Sequence, residues 1–425
     1  MKIDKLIFAC FLSAILVTTT YACSNAAEIE RPEEIRSKRI TIYDDSTYVE
    51  LARKWKAYYD AYPSEYAYAN WMYALRYAED KDYEKLLKKG LKKYKANPTL
   101  LYLESMSKYW AGDNSESIRL LEQSAALDRG NPDPWFMLVI LYMNEGEDEQ
   151  RDVALRQLLE SGGIQDEVMD FCYNILISLD KNAIIITNGD NDTYPIWVLQ
   201  NILRIRDDVT IINRSLLNSD WYPLYVIEHG APQFTSKDDL ETLRETILTE
   251  IRRNKNASPS VGLFSDTLIT MIIDSAERAD RPVYFSKTLY VTDGIRPLMK
   301  KGQDLGLVTL VTSTEVPYGK RLREVYRTWI DSFSTGGLES WRLRYSSEGD
   351  AGRQLMTNYA MASIRNLDSL KIYAPGIRAE LFKWYLQYAD NFVPGEYRDD
   401  VYKAWCEQSD VEDIRNWCRQ KGIKP

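Results

Sequence analysis

Three prolines recur at a nearly constant interval. Pro63, Pro98 and Pro132 are separated by 35 and 34 residues, and the last two follow Asn97 and Asn131. Proline lacks an N–H and is tolerated at a helix start but not in its interior, so this period predicts stacked helix pairs broken at each proline. Large apolar residues fall at helical spacing between the breaks. They are Trp71, Leu75 and Ala78 followed by Tyr83, Leu86 and Leu91; then Leu101, Met106 and Trp110 with Gly112, followed by Ile118, Leu121 and Ala125; then Trp135, Leu138, Leu141 and Tyr142 with Gly146, followed by Ala154 and Leu158. Period, breaks and mid-unit glycines agree with the tetratricopeptide repeat of about 34 residues, in which a helix pair buries its apolar face only against a neighbour. Lys85, Lys88, Lys89, Lys92, Lys93 and Lys95 then read as the solvated face of one repeat helix.

The pattern changes beyond residue 165. A helix over Asp166–Leu179 precedes the apolar run 183–187, which reads as a buried strand. A helix opening at Pro195, a strand over 209–213, helices over 237–254 and 266–278, a strand over 283–285, a helix near 294–302 and a strand over 307–311 follow. Alternation of this kind predicts a small, mostly parallel sheet covered by helices. From about residue 318 the chain returns to helices, with Trp329, Trp341, Tyr359, Phe382, Trp384 and Trp405 spaced for packing. The fold class expected is therefore α plus α/β: repeats over 48–165, an α/β domain over 166–317 and a helical array over 318–425.

The N-terminus carries Lys2 and Lys5, an apolar run from Leu6 to Val17, and Ala22 before Cys23. The run is shorter than the roughly 18–20 residues that span a bilayer, so 1–22 reads as a signal peptide. Cys23 is the candidate lipidation site, although Thr20 and Tyr21 depart from the usual lipobox, and ordinary cleavage near Ala22 or Ala27 is the alternative. Membrane attachment is expected through that anchor alone, on the periplasmic or cell-surface side of a bacterial outer membrane. Residues 23–47, polar and rich in glutamate, read as a tether that does not pack. Of the later cysteines, Cys172, Cys406 and Cys418, the last two are expected as free buried thiols, with a disulfide as the alternative in an oxidising compartment.

A net charge of -9 in 425 residues argues against a nucleic-acid partner. With His229 the only histidine, Ser-His-Asp, Cys-His and multi-histidine metal chemistry drop out, and His229 reads as a helix-end residue. Neither the phosphate-binding Gly-x-x-x-x-Gly-Lys motif nor the Gly-x-Gly-x-x-Gly fingerprint occurs.

One constellation remains. The first strand runs into Asn188, Gly189, Asp190, Asn191, Asp192 and Thr193, ahead of the helix at Pro195, where open α/β sheets gather ligands. Asp190 and Asp192 are a candidate pair for Mg2+, Mn2+ or Ca2+, cations that prefer oxygen ligands. The alternative is a turn in which Asp192 or Thr193 caps the following helix. The second strand ends at Asn213 and Arg214, with Asp220 and Trp221 beyond; Asn213, Arg214 and Asp220 are expected on the same rim, with Arg214 offered to an anionic group.

The stretches NAIIITNGDNDTYPIWVLQ (182–200), DDVTIINRSLLNSDWY (207–222), RPVYFSKT (281–288) and LGLVTLV (305–311) resemble the soluble part of a bacterial membrane family. Its members join a half related to protein O-mannosyltransferases to an extracytoplasmic region with tetratricopeptide repeats. The resemblance covers roughly 166–315 and, more loosely, the helices after 320. The transferase-like half has no counterpart here, and after Gln200, where the family carries acidic residues and a glycine, stand Asn201, Leu203 and Arg204. The resemblance thus implies that 188–193 and 213–222 form a family-typical surface. The function expected is an exported lipoprotein that binds or scaffolds a protein or glycan partner in the envelope. The alternative is a metal-dependent enzyme acting on a sugar or phosphate through the Asp-x-Asp loop.

Overall fold

The computed structural model describes residues 29–253, 263–347 and 349–423. The expected signal peptide and Cys23 lie outside them. The repeats consist of α1 (Asp45–Ala61), α2 (Glu65–Tyr77), α3 (Tyr83–Lys93), α4 (Pro98–Trp110), α5 (Asn114–Leu127), α6 (Asp133–Glu145) and α7 (Asp148–Glu160). Each proline stands at a helix start with local support. Ser64, just after Pro63, accepts from the Ala67 N–H, and Asn97 accepts from the Leu100 N–H with Pro98 in the first turn of α4. Gly112 and Gly146 adopt φ of +80° and +72°, which ends α4 and α6 and lets each chain reverse onto its partner, α5 or α7. Trp71, Leu75, Leu101, Met106, Leu121, Leu138 and Leu141 are buried. Each fully buried side chain of this kind contributes about 1.5–3 kcal/mol. Trp110 departs from its expected packing and stands 77% exposed, because it lies in the last turn of α4, beyond the reach of α5. The six lysines of and after α3 face solvent.

The α/β part runs through α8 (Asp166–Ile177), β1 (Ile184–Thr187), α9 (Tyr194–Trp197, continued as a π-helical turn to Ile202), β2 (Thr210–Asn213), α10 (Tyr222–Glu228), α11 (Lys237–Arg253), α12 (Leu263–Arg278), β3 (Val283–Ser286), α13 (Arg296–Lys301), β4 (Gln303–Asp304) and β5 (Val308–Leu310). The sheet order is β2-β1-β3-β5-β4. The central strand β1 pairs parallel with β2 and β3, in register Ile185 to Ile211 and Ile185 to Tyr284. Its three isoleucines are fully buried, as befits a strand covered on both faces. β5 returns antiparallel to β3, and β4 antiparallel to β5, so the small, mostly parallel sheet expected is present and is made mixed by the one reversed strand, β5. The short turn at Leu305–Gly306–Leu307 makes β4 and β5 a hairpin.

Helices α14 (Tyr318–Ser332), α15 (Trp341–Arg344), α16 (Ala351–Arg365), α17 (Leu367–Tyr373), α18 (Pro375–Tyr388), α19 (Gly395–Cys406) and α20 (Glu412–Lys421) complete the molecule. Trp329, Tyr359 and Trp384 form an aromatic core, with the Trp329 and Trp384 rings 5.3 Å apart in an edge arrangement. Trp341, expected among them, is largely exposed and lies parallel to Tyr345. This end docks on α8 at close range: a Cβ on Gly337 would meet backbone atoms of Glu167, so only glycine permits the approach.

Two further expectations are corrected. Cys406 and Cys418 form a disulfide with a Cα separation of 5.8 Å, because α20 folds back along α19 and brings the two buried sulfurs together; Cys172 is the free thiol. The segment expected as an unpacked tether is laid along the first helices of the repeat pairs from residue 29 onward. The Ile35 side chain is buried and its N–H donates to Asn70 Oδ1, Trp55 Nε1 donates to the Glu33 carbonyl, and Ile42 N–H donates to the Gly349 carbonyl. Ile35 is the buried apolar residue that holds a largely polar strap down. Among the described residues, no helix is long and apolar enough to cross a membrane.

Candidate functional site

Because β1, β2 and β3 run parallel, their C-terminal ends leave the sheet on one edge. The loop 188–193 therefore meets Asn213 from β2 and Thr288 from beyond β3. The Thr187 to Asn213 register is the key step, since it sets Asn213 beside the loop. Asn213 Nδ2 donates to Thr193 Oγ1 at 2.9 Å and to the Gly189 carbonyl at 3.2 Å, while its Oδ1 accepts from the Leu216 N–H. Thr193 Oγ1 also meets Thr187 Oγ1 at 2.7 Å. Both side chains are buried and internally satisfied.

Asp192 does not cap the following helix. Its buried carboxylate turns back to accept the N–H groups of Asn188 (2.8 Å) and Gly189 (2.9 Å), together with the Thr288 hydroxyl. Burial holds its carboxyl above the ordinary aspartate range despite these donors. Asp190 is different: its half-exposed carboxylate accepts from Arg39 Nε at 2.6 Å. The two carboxylates of the candidate metal pair are thus each engaged by protein donors. Among the described residues, no group of three or more metal-ligating side chains is assembled.

The other rim candidates part company. Arg214 is buried and paired with Asp266 of α12 at 2.8 Å, so it faces the protein interior rather than a ligand. Asp220 is exposed and meets Arg244. Trp221 is half-buried against Tyr222 and Tyr225. The loop Leu216–Asn218 turns these residues away from 188–193, so the expected single rim does not form. His229 ends α10, stacks on Tyr225 and meets Asp148.

What the loop does join is a cavity of about 460 Å³ between the repeats and the sheet edge. Asn188, Gly189, Asp190, Asn191, Asp192 and Thr288 form one wall. Arg76 and Tyr77 of α2, Tyr102 and Met106 of α4 and Leu355 of α16 form the others, and the strap closes it with Ser37, Lys38 and Arg39. Arg39 is the clasp. Besides Asp190, its guanidinium lies over the Phe136 ring at 4.4 Å and 3.7 Å from Asp133, and its carbonyl accepts from Asn191 Nδ2. Tyr194 at the start of α9 donates to the Phe136 carbonyl, which locks the sheet to α6. Sequence reasoning missed Arg39, Arg76, Thr288 and Leu355. The local hint was a few isoleucines, Ile35 among them, inside a largely polar stretch.

The fold is thus a helical repeat array carrying a small α/β domain. A family model described as TMEM260-associated domain 2 matches residues 168–227, the segment from α8 to α10 that contains the loop. This agrees in part with the sequence resemblance, because TMEM260 is the point of contact with O-mannosyltransferase-like proteins. No curated protein matches the chain.

Proposed function

We propose that the chain is an exported, lipid-anchored binding module of the bacterial envelope, and that its ligand is a glycan group seated in the cavity between the repeats and the sheet edge. The observation that carries this reading is the cavity itself. Four parts of the chain far apart in sequence build it, its volume suits a sugar-sized ligand, and tyrosines supply an amphipathic wall. The match of residues 168–227 to a TMEM260-associated domain supports a link to glycosylation. The Cys406–Cys418 disulfide supports an oxidising compartment. A protein ligand lying along the first helices of the repeats would have to displace the strap, which favours the cavity. The metal-dependent alternative requires Arg39 to release Asp190 and Asp192 to give up two N–H donors.

The test is a thermal-melt titration of the mature protein with monosaccharides and short glycans, beside Leu355→Trp, which fills the cavity. A ligand at about 100 times its dissociation constant raises stability by about 2.7 kcal/mol. We expect that rise in the wild type and its loss in the filled variant. An equal rise in both places binding elsewhere, and no rise with any glycan removes the reading. For the anchor, metabolic labelling with a lipid precursor is expected to mark the wild type and not Cys23→Ser; an unlabelled wild type rejects lipidation.

A further inference from the structure

The cations of this molecule divide into two groups. Inside the fold, Arg151, Arg206, Arg214, Arg321 and Arg378 each meet a carboxylate. At the cavity, Arg39 does the same with Asp190. Arg76 does not. Among the described residues its guanidinium has no carboxylate partner and no hydrogen-bond acceptor; it lies 5.4 Å from the centroid of the Tyr77 ring and 5.9 Å from that of Tyr102. Lys38 is placed likewise, its ammonium 5.0 Å from the rings of both Tyr48 and Tyr77 and without a carboxylate. Both residues line the same cavity beside Tyr77, Lys38 from the strap and Arg76 from α2.

This arrangement is selective in two ways. The chain carries a net charge of -9, so two uncompensated cations against one wall are not the overflow of a basic surface. The nearby carboxylates are also withheld: Asp190 is held by Arg39, and Asp192 is turned onto backbone N–H groups. A guanidinium resting on aromatic faces keeps its N–H fork free in its own plane, a geometry that suits the paired oxygens of a phosphate or carboxylate.

We propose that Arg76 and Lys38 are the anion-recognition pair of the cavity, and that its ligand is an acidic sugar or sugar phosphate whose oxyanion they bind. The apolar face of the sugar ring lies against Tyr102, Met106 and Leu355. Arg76 supplies the directional contact and Lys38 a point charge from the strap, so binding also ties the strap to α2. This rests on the reading of the cavity as a glycan site and names the chemistry of the ligand.

Calorimetric titration of the mature protein with a neutral hexose, a hexose phosphate, a hexuronate and inorganic phosphate tests it, repeated for Arg76→Ala, Arg76→Gln and Lys38→Ala, with circular dichroism to show that each variant is folded. We expect one or both anionic sugars to bind at least about tenfold tighter than the neutral hexose, and Arg76→Ala to remove on the order of tenfold to a hundredfold, as a charge-assisted contact does. Arg76→Gln, which keeps the bulk, is expected to lose nearly as much, and Lys38→Ala less. The phosphate and carboxylate arms decide which oxyanion is used, and binding of inorganic phosphate alone to the wild type with the same Arg76 dependence still supports the pair. Equal affinity for neutral and anionic sugars, or anionic binding untouched by either Arg76 variant, overturns the proposal and leaves the glycan reading standing. Absence of binding by every probe overturns both.

Discussion

Replacing Arg214 with alanine is expected to destabilise the α/β domain by about 3–5 kcal/mol, the largest effect of any single substitution considered, while leaving cavity binding unchanged. Arg214 follows β2 directly, and its Nη2 lies 2.8 Å from Asp266 Oδ1 with both side chains less than a tenth exposed. Asp266 also accepts the Thr292 hydroxyl, so α12 and the loop beyond β3 are tied to the end of β2 through one carboxylate. Alanine leaves that carboxylate buried with its charge uncompensated, and this cost exceeds the worth of the pair itself. Urea denaturation followed by circular dichroism measures the loss. The double variant Arg214→Ala/Asp266→Ala is expected to lose less than the sum of the two single losses, because the stranded charge is gone. A loss under about 1 kcal/mol for Arg214→Ala would show that water reaches the site and solvates Asp266. An accompanying loss of ligand would return Arg214 to the rim where its sequence position first placed it.

Reduction of the Cys406–Cys418 disulfide is the second large effect. The bridge spans a sequence separation of 12, and closing a loop of that length stabilises by about 3 kcal/mol in the chain-entropy account. Here it joins α19 to α20, which also meet through Trp417, 4.9 Å from Tyr402, and through Lys421 over the Tyr402 ring, while Trp405 packs 5.0 Å from Phe382 of α18. A dithiol reductant, or the pair Cys406→Ala/Cys418→Ala, is therefore expected to lower the midpoint of a C-terminal transition read by tryptophan fluorescence. The far-ultraviolet signal of the repeats should persist through that transition. An unchanged midpoint would mean that the aromatic packing suffices without the covalent link.

These two sites also show where sequence reasoning reached and where it stopped. The helix pairs were legible because their signals are local: a proline with a capping Ser64 or Asn97, an apolar stripe, and a glycine at each reversal. The strands β1, β2 and β3 were legible for the same reason, since short β-branched runs between helices have few other uses. The reversal at β5 was not, because strand direction depends on the path of the chain between strands. The partner of Arg214 lies 52 residues away and that of Arg39 151 residues away, distances over which no periodicity carries information.

The loop 188–193 illustrates the division most closely. Its position beyond a buried strand and ahead of a helix was determined by the sequence alone, through the run of isoleucines, Gly189 and Pro195. Which donors engage each of its carboxylates was decided only by the tertiary structure. Parallel pairing set Asn213 and Thr288 beside the loop, burial drove Asp192 onto the N–H groups of Asn188 and Gly189, and the strap delivered Arg39 to Asp190. A buried charge takes whatever donors the fold brings within hydrogen-bonding distance, and that choice is made in space, after the chain has been folded, rather than along it.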